Sequence, residues 1–292
     1  MDVARHSSDE QRALWNGRAA SAWVEMQEVL DHILKPLEDL LLEAMPAGSS
    51  GQVLDVGCGT GGTTLAIARR LGTKGRSIGI DISAPMIGHA RARAEREGTP
   101  ATFICANAQS HALEPASFDL IVSRIGVMFF DEPVAAFANL RRAAKNDAAL
   151  RFIAWRSAAE NPFMTTAERA AAPLLPNMPA HRPGAPGQCS FADPDRVRRI
   201  LQESSWSDIQ IRPIDVPCTM PESELVRYLT RLGPLGLILP DADEPTRTKV
   251  IAAVRAAFDP YVHGDEVRFT AGCWMVDAKA SAPGALKEAT SS

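Results

Sequence analysis

Val53-Leu54-Asp55-Val56-Gly57-Cys58-Gly59-Thr60-Gly61-Gly62 decides how this chain folds. A short apolar run passes straight into glycines, and Thr64 to Leu71 then follows at helical spacing, closed by Gly72. A strand that ends in such a bend and opens a helix builds a ligand crevice at the carboxyl edge of a sheet. Glycine is required because the backbone must turn tightly and approach a ligand with no Cβ between them. The freed N–H groups at the helix start can meet polar or anionic atoms.

Outward from this stretch, strand-like and helical runs alternate. Ser77 to Ile80 is a second strand ending at Asp81; Ser83 caps the next helix, Pro85 sits in its first turn and Gly98 ends it. Ala101 to Cys105, Phe118 to Ser123 and Ala149 to Trp155 are further strands, with a helix from Asp131 and Pro133 carrying Val134, Phe137 and Leu140. Ile209, Ile211 and Ile214 alternate as a strand would, and Val267 to Val276 is the last strand. Strand runs that are almost continuously apolar, separated by helices, predict parallel strands buried on both faces. The expected class is α/β: a doubly wound, mostly parallel seven-stranded, Rossmann-like sheet with a helical N-terminal cap and lid insertions.

Residues 1–50 read as that cap. Ser8 and Gln11 form a capping-box pattern. Trp23, Met26, Leu30, Ile33, Leu34, Leu37 and Leu41 recur at helical spacing, with Pro36 expected to kink or split the helix and Pro46 to help end it. Residues 51–156 are the binding core. Residues 157–279 complete the sheet with lid and substrate insertions. Within them the proline-rich stretch 157–190 reads as a mobile insertion outside the core, and Thr219 with Glu222 as a second capping box. Residues 280–292 read as a disordered tail.

Gly57, Gly59 and Gly62 satisfy G-x-G-x-x-G, and Asp81 closes the second strand about twenty residues on, where a carboxylate can accept bonds from ribose hydroxyls. These two elements point to an adenosine-like ligand without saying which one. The wider pattern narrows the choice. VLDVGCGTGG, IGIDIS, ANAQ and SFDLIVSRIGVMFF, in that order at successive strand ends, resemble the motifs of class I S-adenosylmethionine (SAM)-dependent methyltransferases. The resemblance spans about residues 50 to 156 and is nearest the small-molecule enzymes of the ubiquinone/menaquinone-biosynthesis type.

The resemblance implies SAM as cofactor, with S-adenosylhomocysteine (SAH) as product, and assigns roles to residues. Gly57, Cys58, Gly59 and Gly61 would form the loop at the methionine part, and Asp55 would hold its ammonium. Asp81 would bind the ribose with Ile82 beside the adenine. Asn107 and Ala108 would sit at the adenine edge, and Ser123 at the methionine end. Asn107 stands where the family often has Asp, keeping an acceptor oxygen without the charge. The N-P-P-Y motif of amide- and base-nitrogen methyltransferases is replaced after the fourth strand by Ser123-Arg124-Ile125. Asn161-Pro162-Phe163 follows the fifth strand instead and fits a capped turn.

No catalytic residue is assigned. His32, His89, His111, His181 and His263 are candidate bases; His89 reads as solvated. Cys58 reads as a small residue filling the loop. Trp15 and Trp23 fit two roles equally, closing over the cofactor or packing on the sheet. Arg124 fits an ion pair or an acidic substrate. The apolar content of the insertions implies a small acceptor, apolar or aromatic.

Composition excludes other classes. Lys and Arg total 31 against 35 Asp and Glu, a net charge of −4, so no basic surplus exists to neutralise a nucleic acid. Five scattered cysteines, without a C-x-x-C pair, read as thiols of a cytoplasmic protein with neither disulfide frame nor metal site. The polar N-terminus lacks a signal peptide's apolar core, and no apolar run approaches the ~20 residues of a membrane span. Three functions remain: methyl transfer from SAM to a small organic acceptor, NAD(P)-dependent oxidoreduction, or a catalytically silent SAM-binding module.

Overall fold

The computed structural model describes residues 3–176, apart from 44 and 46, and 186–280, with side chains from residue 9 onward. Three helices come first: α1 (Val3–Asn16), α2 (Arg18–Glu25) and α3 (Gln27–Leu42). The alternating core is β1 (Gln52–Val56), α4 (Gly62–Leu71), β2 (Arg76–Asp81), α5 (Ala84–Glu97), β3 (Ala101–Cys105), β4 (Phe118–Arg124), α6 (Pro133–Ala143) and β5 (Ala144–Trp155). After it come α7 (Pro162–Ala171), α8 (Pro194–Glu203), β6 (Ser207–Pro221), α9 (Leu225–Arg231), α10 (Gly233–Ile238) and α11 (Glu244–Ala257). The last elements are β7 (Val262–His263) and β8 (Glu266–Lys279).

The sheet order is β3-β2-β1-β4-β5-β8-β6, and the two-residue β7 pairs with β8 off this path. β3 through β5 are parallel neighbours, and β8 joins both β5 and β6 antiparallel. The expected mostly parallel, seven-stranded doubly wound sheet is present, with β7 as a small eighth strand. The order reverses between β1 and β4, so a crevice opens at the end of β1. Beyond β5 the sheet closes with an antiparallel pair, where a second mononucleotide-binding half would continue parallel.

Apolar strand faces pack under helices. Val53, Leu120 and Val122 cluster with Ile67 and Leu71 of α4. Leu54, Ile121, Leu150 and Phe152 share a cluster with Phe137 and Leu140 of α6. Phe137, Phe152 and Phe191 lie with ring centroids 5.6–6.2 Å apart, a contact geometry that adds to area burial. Ser83 caps α5 by accepting from the Met86 N–H, and Gly98 ends it in the left-handed region, both as the sequence predicts.

Four expectations need correction. α1 runs through Ser8, so Ser8 does not open a helix. Pro36 lies inside α3, and the break in the N-terminal helices falls at Met26. Thr219 is no cap: it lies in β6 opposite Arg268, because the strand ladder outcompetes the local side-chain bond. The 157–190 stretch is not all peripheral, since α7 buries Phe163 and Ala171, and Phe163 stacks on Phe269 at 4.2 Å. His181 and the tail from 281 lie outside the described residues.

Candidate functional site

The cleft at the end of β1 is built from the glycine loop upward. The Gly57 and Cys58 N–H groups both donate to the Ile80 carbonyl, at 2.9 and 3.2 Å, tying the bend to the end of β2. Gly57 has φ +69°, and a Cβ there would stand 2.8 Å from the Gly126 Cα. Only glycine fits between the two chains. The Gly59 N–H donates to Asp81 Oδ2 at 2.8 Å, and the Ser83 N–H donates to Oδ1 at 2.9 Å. Burial raises the Asp81 pKa, opposed by these backbone donors.

The cleft and the open space at its mouth together take up about 1150 Å³. Of the ten predicted contact residues, eight line it: Asp55, Gly57, Cys58, Gly59, Asp81, Ile82, Asn107 and Ala108. Two do not. Gly61 faces α5 and β3, where a Cβ would lie 2.9 Å from the Ala90 Cβ. Ser123 is buried beneath the loop; its Oγ donates to the Val56 carbonyl at 2.7 Å and accepts from the Gly126 and Val127 N–H groups at 3.2 Å. Asn107 Oδ1 accepts from the Gln109 N–H at 3.0 Å, so it also shapes its own turn.

Asp55 is 1% exposed, and the Thr64 hydroxyl donates to its Oδ2 at 2.7 Å. Burial pushes its pKa up to about 6, with Thr64 and then Arg124 pulling the other way. Arg124 lines the cleft at the end of β4, with Nη1 3.6 Å from Glu38 Oε2 of α3. A second ion pair joins α3 to the loop: Arg93 Nη2 donates to Asp31 at 2.8 Å, and Nη1 donates to the Thr60 carbonyl at 2.9 Å. After Arg124, Ile125 sits at φ +54°, a strained setting for a β-branched residue and common where a site over-determines its backbone.

Aromatic side chains form the outer wall. The Trp15 ring meets Phe129 at 5.1 Å and Trp23 at 6.1 Å, both edge to face. Phe130, Met128, Trp155 and Leu34 continue the wall. Both tryptophans are therefore cleft residues and packing residues at once. The N-terminal helices are fastened there: Asn16 Nδ2 donates to the Ile82 carbonyl at 3.2 Å, and its Oδ1 accepts from the Ala84 N–H at 2.9 Å. Sequence reasoning missed Thr63, Met86, Gln11 and Gln188, which also line the cleft. Thr63 follows directly on the glycines, a position that could have signalled it; Gln188 carries no such mark.

None of His32, His89, His111 and His263 lines the cleft. His89 is not fully solvated: its Nε2 lies 3.2 Å from Gln27 Oε1, and burial lowers its pKa. Cys58 is buried with its pKa raised by burial, as a loop filler would be. Asn161 is fully buried. Its Nδ2 donates to the Ser157 and Gly272 carbonyls, and its Oδ1 accepts from the Gly272 N–H. It clasps the β5–α7 corner to β8. The five cysteines are free. No helix among the described residues is long and apolar enough to cross a membrane.

A glycine bend at a sheet's reversal point, with a bridging acid on the next strand, defines a Rossmann-like nucleoside-binding domain. Residues 53–147 match the family described as "Methyltransferase domain". The chain is 34% identical over 110 residues to the trans-aconitate 2-methyltransferase of Afipia carboxidovorans, covering 38% of this chain and 40% of that one. It is 31% identical over 104 residues to the aklanonic acid methyltransferase of a Streptomyces species, covering 35% and 47%. The YcgJ protein of Bacillus subtilis shares the fold, with a TM-score of 0.56 at 16% identity over 84% of this chain and 98% of that one. The matched region spans about half the length of the curated relatives. Motif order and family match together support a class I SAM-dependent methyltransferase domain over residues 53–147.

Proposed function

We propose that the chain is a SAM-dependent methyltransferase that methylates a small organic acceptor, apolar or aromatic where it meets the outer wall. The observation that carries this reading is Asp81, held by the Gly59 and Ser83 N–H groups at the floor of a cleft shaped by backbone without Cβ atoms. The fit of residues to cofactor is good. Asp81 would accept from the ribose hydroxyls, and Ile82 and Met86 would lie along the adenine. Asn107 and Ala108 would meet its edge, and Gly57, Cys58 and Gly59 would face the methionine part above Asp55.

SAM supplies a methyl group already activated on a cationic sulfur. The protein's task is then alignment and exclusion of water, and alignment alone can lower a barrier by ~7–11 kcal/mol. Trp15, Trp23, Phe129, Phe130 and Trp155 give the acceptor side an aromatic lining that displaces water and suits a planar or apolar molecule. Their ring faces also suit a sulfonium. An acceptor whose nucleophile is already deprotonated needs no base. The trans-aconitate and aklanonic acid enzymes are named for carboxylic acids, which supports an acceptor of that reactivity. The scattered free cysteines support a cytoplasmic setting.

Calorimetry with SAM, SAH and NAD(P) tests the reading. Binding of SAM and SAH below millimolar is expected. Binding of NAD(P) without either would overturn it in favour of an oxidoreductase. SAM binding without turnover across an acceptor library would leave a silent binding module.

A further inference from the structure

The tip of the glycine loop is gripped from two sides. The Gly59 N–H donates to Asp81 in the cleft. One residue on, the Thr60 carbonyl accepts from Arg93 Nη1 at 2.9 Å. Arg93 belongs to α5, is 8% exposed and lies behind the cleft wall, not on it. Its Nη2 donates to Asp31 Oδ2 of α3 at 2.8 Å, and Gln27 Nε2 donates to the same oxygen at 2.6 Å. Gln27 Oε1 in turn lies 3.2 Å from His89 Nε2 of α5. These side chains bridge α3 and α5 in a closed set, with the Thr60 carbonyl at its inner end.

Asp31 also comes close to the loop itself. A Cβ on Gly62 would lie 2.7 Å from Asp31 Oδ1, so a larger residue there would push α3 off the first turn of α4. The third glycine of the motif therefore makes room for the N-terminal cap, and the carboxylate stands at the favourable, positive end of α4. A guanidinium is a planar fork that holds two acceptors in a fixed relation. Arg93 thus relays the position of α3 to the Thr60 carbonyl, and Thr60 lines the cleft beside Gly59. We propose that Asp31 and Arg93 are positioning residues for the cofactor: Asp31 orients the Arg93 guanidinium, and Arg93 sets the loop in its binding geometry. The cap acts on the loop from behind without touching the ligand. The inference rests on the cleft binding SAM and SAH.

The test is calorimetry with SAH on the full chain well below its thermal midpoint, for Arg93→Met, Asp31→Ala and the double variant. Arg93→Met keeps an unbranched side chain without donors, and SAH affinity is expected to fall about tenfold, the scale of bonds to a charged group. Asp31→Ala leaves Arg93 its bond to Thr60 but not its orienting partner, and a loss of about fivefold is expected. Because Asp31 acts through Arg93, the double variant should bind SAH no more weakly than Arg93→Met alone. A pair that serves stability only would lower the thermal midpoint and leave SAH affinity of the folded chain unchanged. Asp31 is half-buried, so Asp31→Ala decides the outcome should Arg93→Met fail to fold. SAH affinity within about twofold of the parent in either folded single variant overturns the proposal, and so does a double variant that loses the product of the two single losses. A parent chain that does not bind SAH removes the functional reading along with it.

Discussion

Asp81 Oδ2 accepts the Gly59 N–H at 2.8 Å across 22 residues of chain. One carboxylate thus both shapes the glycine loop and faces the cleft. Asp81→Ala leaves the Gly59 and Ser83 donors short of an acceptor, at about 1–3 kcal/mol for each one that water does not reach. The variant is expected to stay folded with a lowered thermal midpoint, and to bind SAH at least about tenfold more weakly. Equal SAH affinity in mutant and parent would remove the ribose assignment.

The Asp55 pKa of about 6 gives a signed pH dependence. The folded value lies above the unfolded one, so the folded state holds the proton more tightly. Stability from this group is complete at low pH and is lost as pH rises from about 4 through about 6, by about 3 kcal/mol in all. Asp55→Asn removes this loss. Urea midpoints measured at pH 5 and pH 7.5 should show the variant gaining on the parent as pH rises, with no further gain above. SAH affinity in the parent should rise over the same interval as the carboxylate ionises, and the variant should lack that rise.

Asn161 makes its three hydrogen bonds entirely to backbone, with no exposure to solvent. Asn161→Ala strands the Gly272 N–H in a buried setting, while the Gly272 carbonyl keeps the Arg156 N–H at 3.0 Å. A loss of about 1–3 kcal/mol is expected, lowering the thermal midpoint by roughly 2–5 °C. SAH affinity at low temperature should be unchanged. An unaltered midpoint with lost turnover would instead make the Asn-Pro-Phe segment catalytic.

Three of the five tryptophans, Trp15, Trp23 and Trp155, line the cleft. Titration with SAH is expected to change the intrinsic fluorescence. Trp15→Phe keeps an aromatic edge toward Phe129 and should reduce the amplitude while leaving SAH affinity within about threefold. A full amplitude in the variant would mean that Trp15 does not sense the ligand.

What could be read from the sequence is what short-range backbone demand dictates. Gly57 must adopt positive φ, Ser83 must cap α5 and Gly98 must end it, and each of these is written in neighbouring residues. The acid at 81 was legible because a strand's last residue points to the sheet's edge. Contacts between distant elements left no local trace. The Arg124–Glu38 pair depends on how α3 docks against the end of β4. Ser123 faces down under the loop because the Val56 carbonyl and two N–H groups claim its hydroxyl. The Thr219–Glu222 pattern misled for the opposite reason: the local cue is genuine, but strand pairing with β8 overrides it.

Asn16 spans the turn that presents Asp81, bonding the Ile82 carbonyl and the Ala84 amide from the last turn of α1. The first helix is therefore fastened to the ligand's own doorstep. Whatever occupies the cleft steadies that turn and, through it, the helix, and by thermodynamic reciprocity a steadied helix tightens the grip on the occupant. Protease resistance of α1 becomes a gauge of occupancy that needs no knowledge of the acceptor.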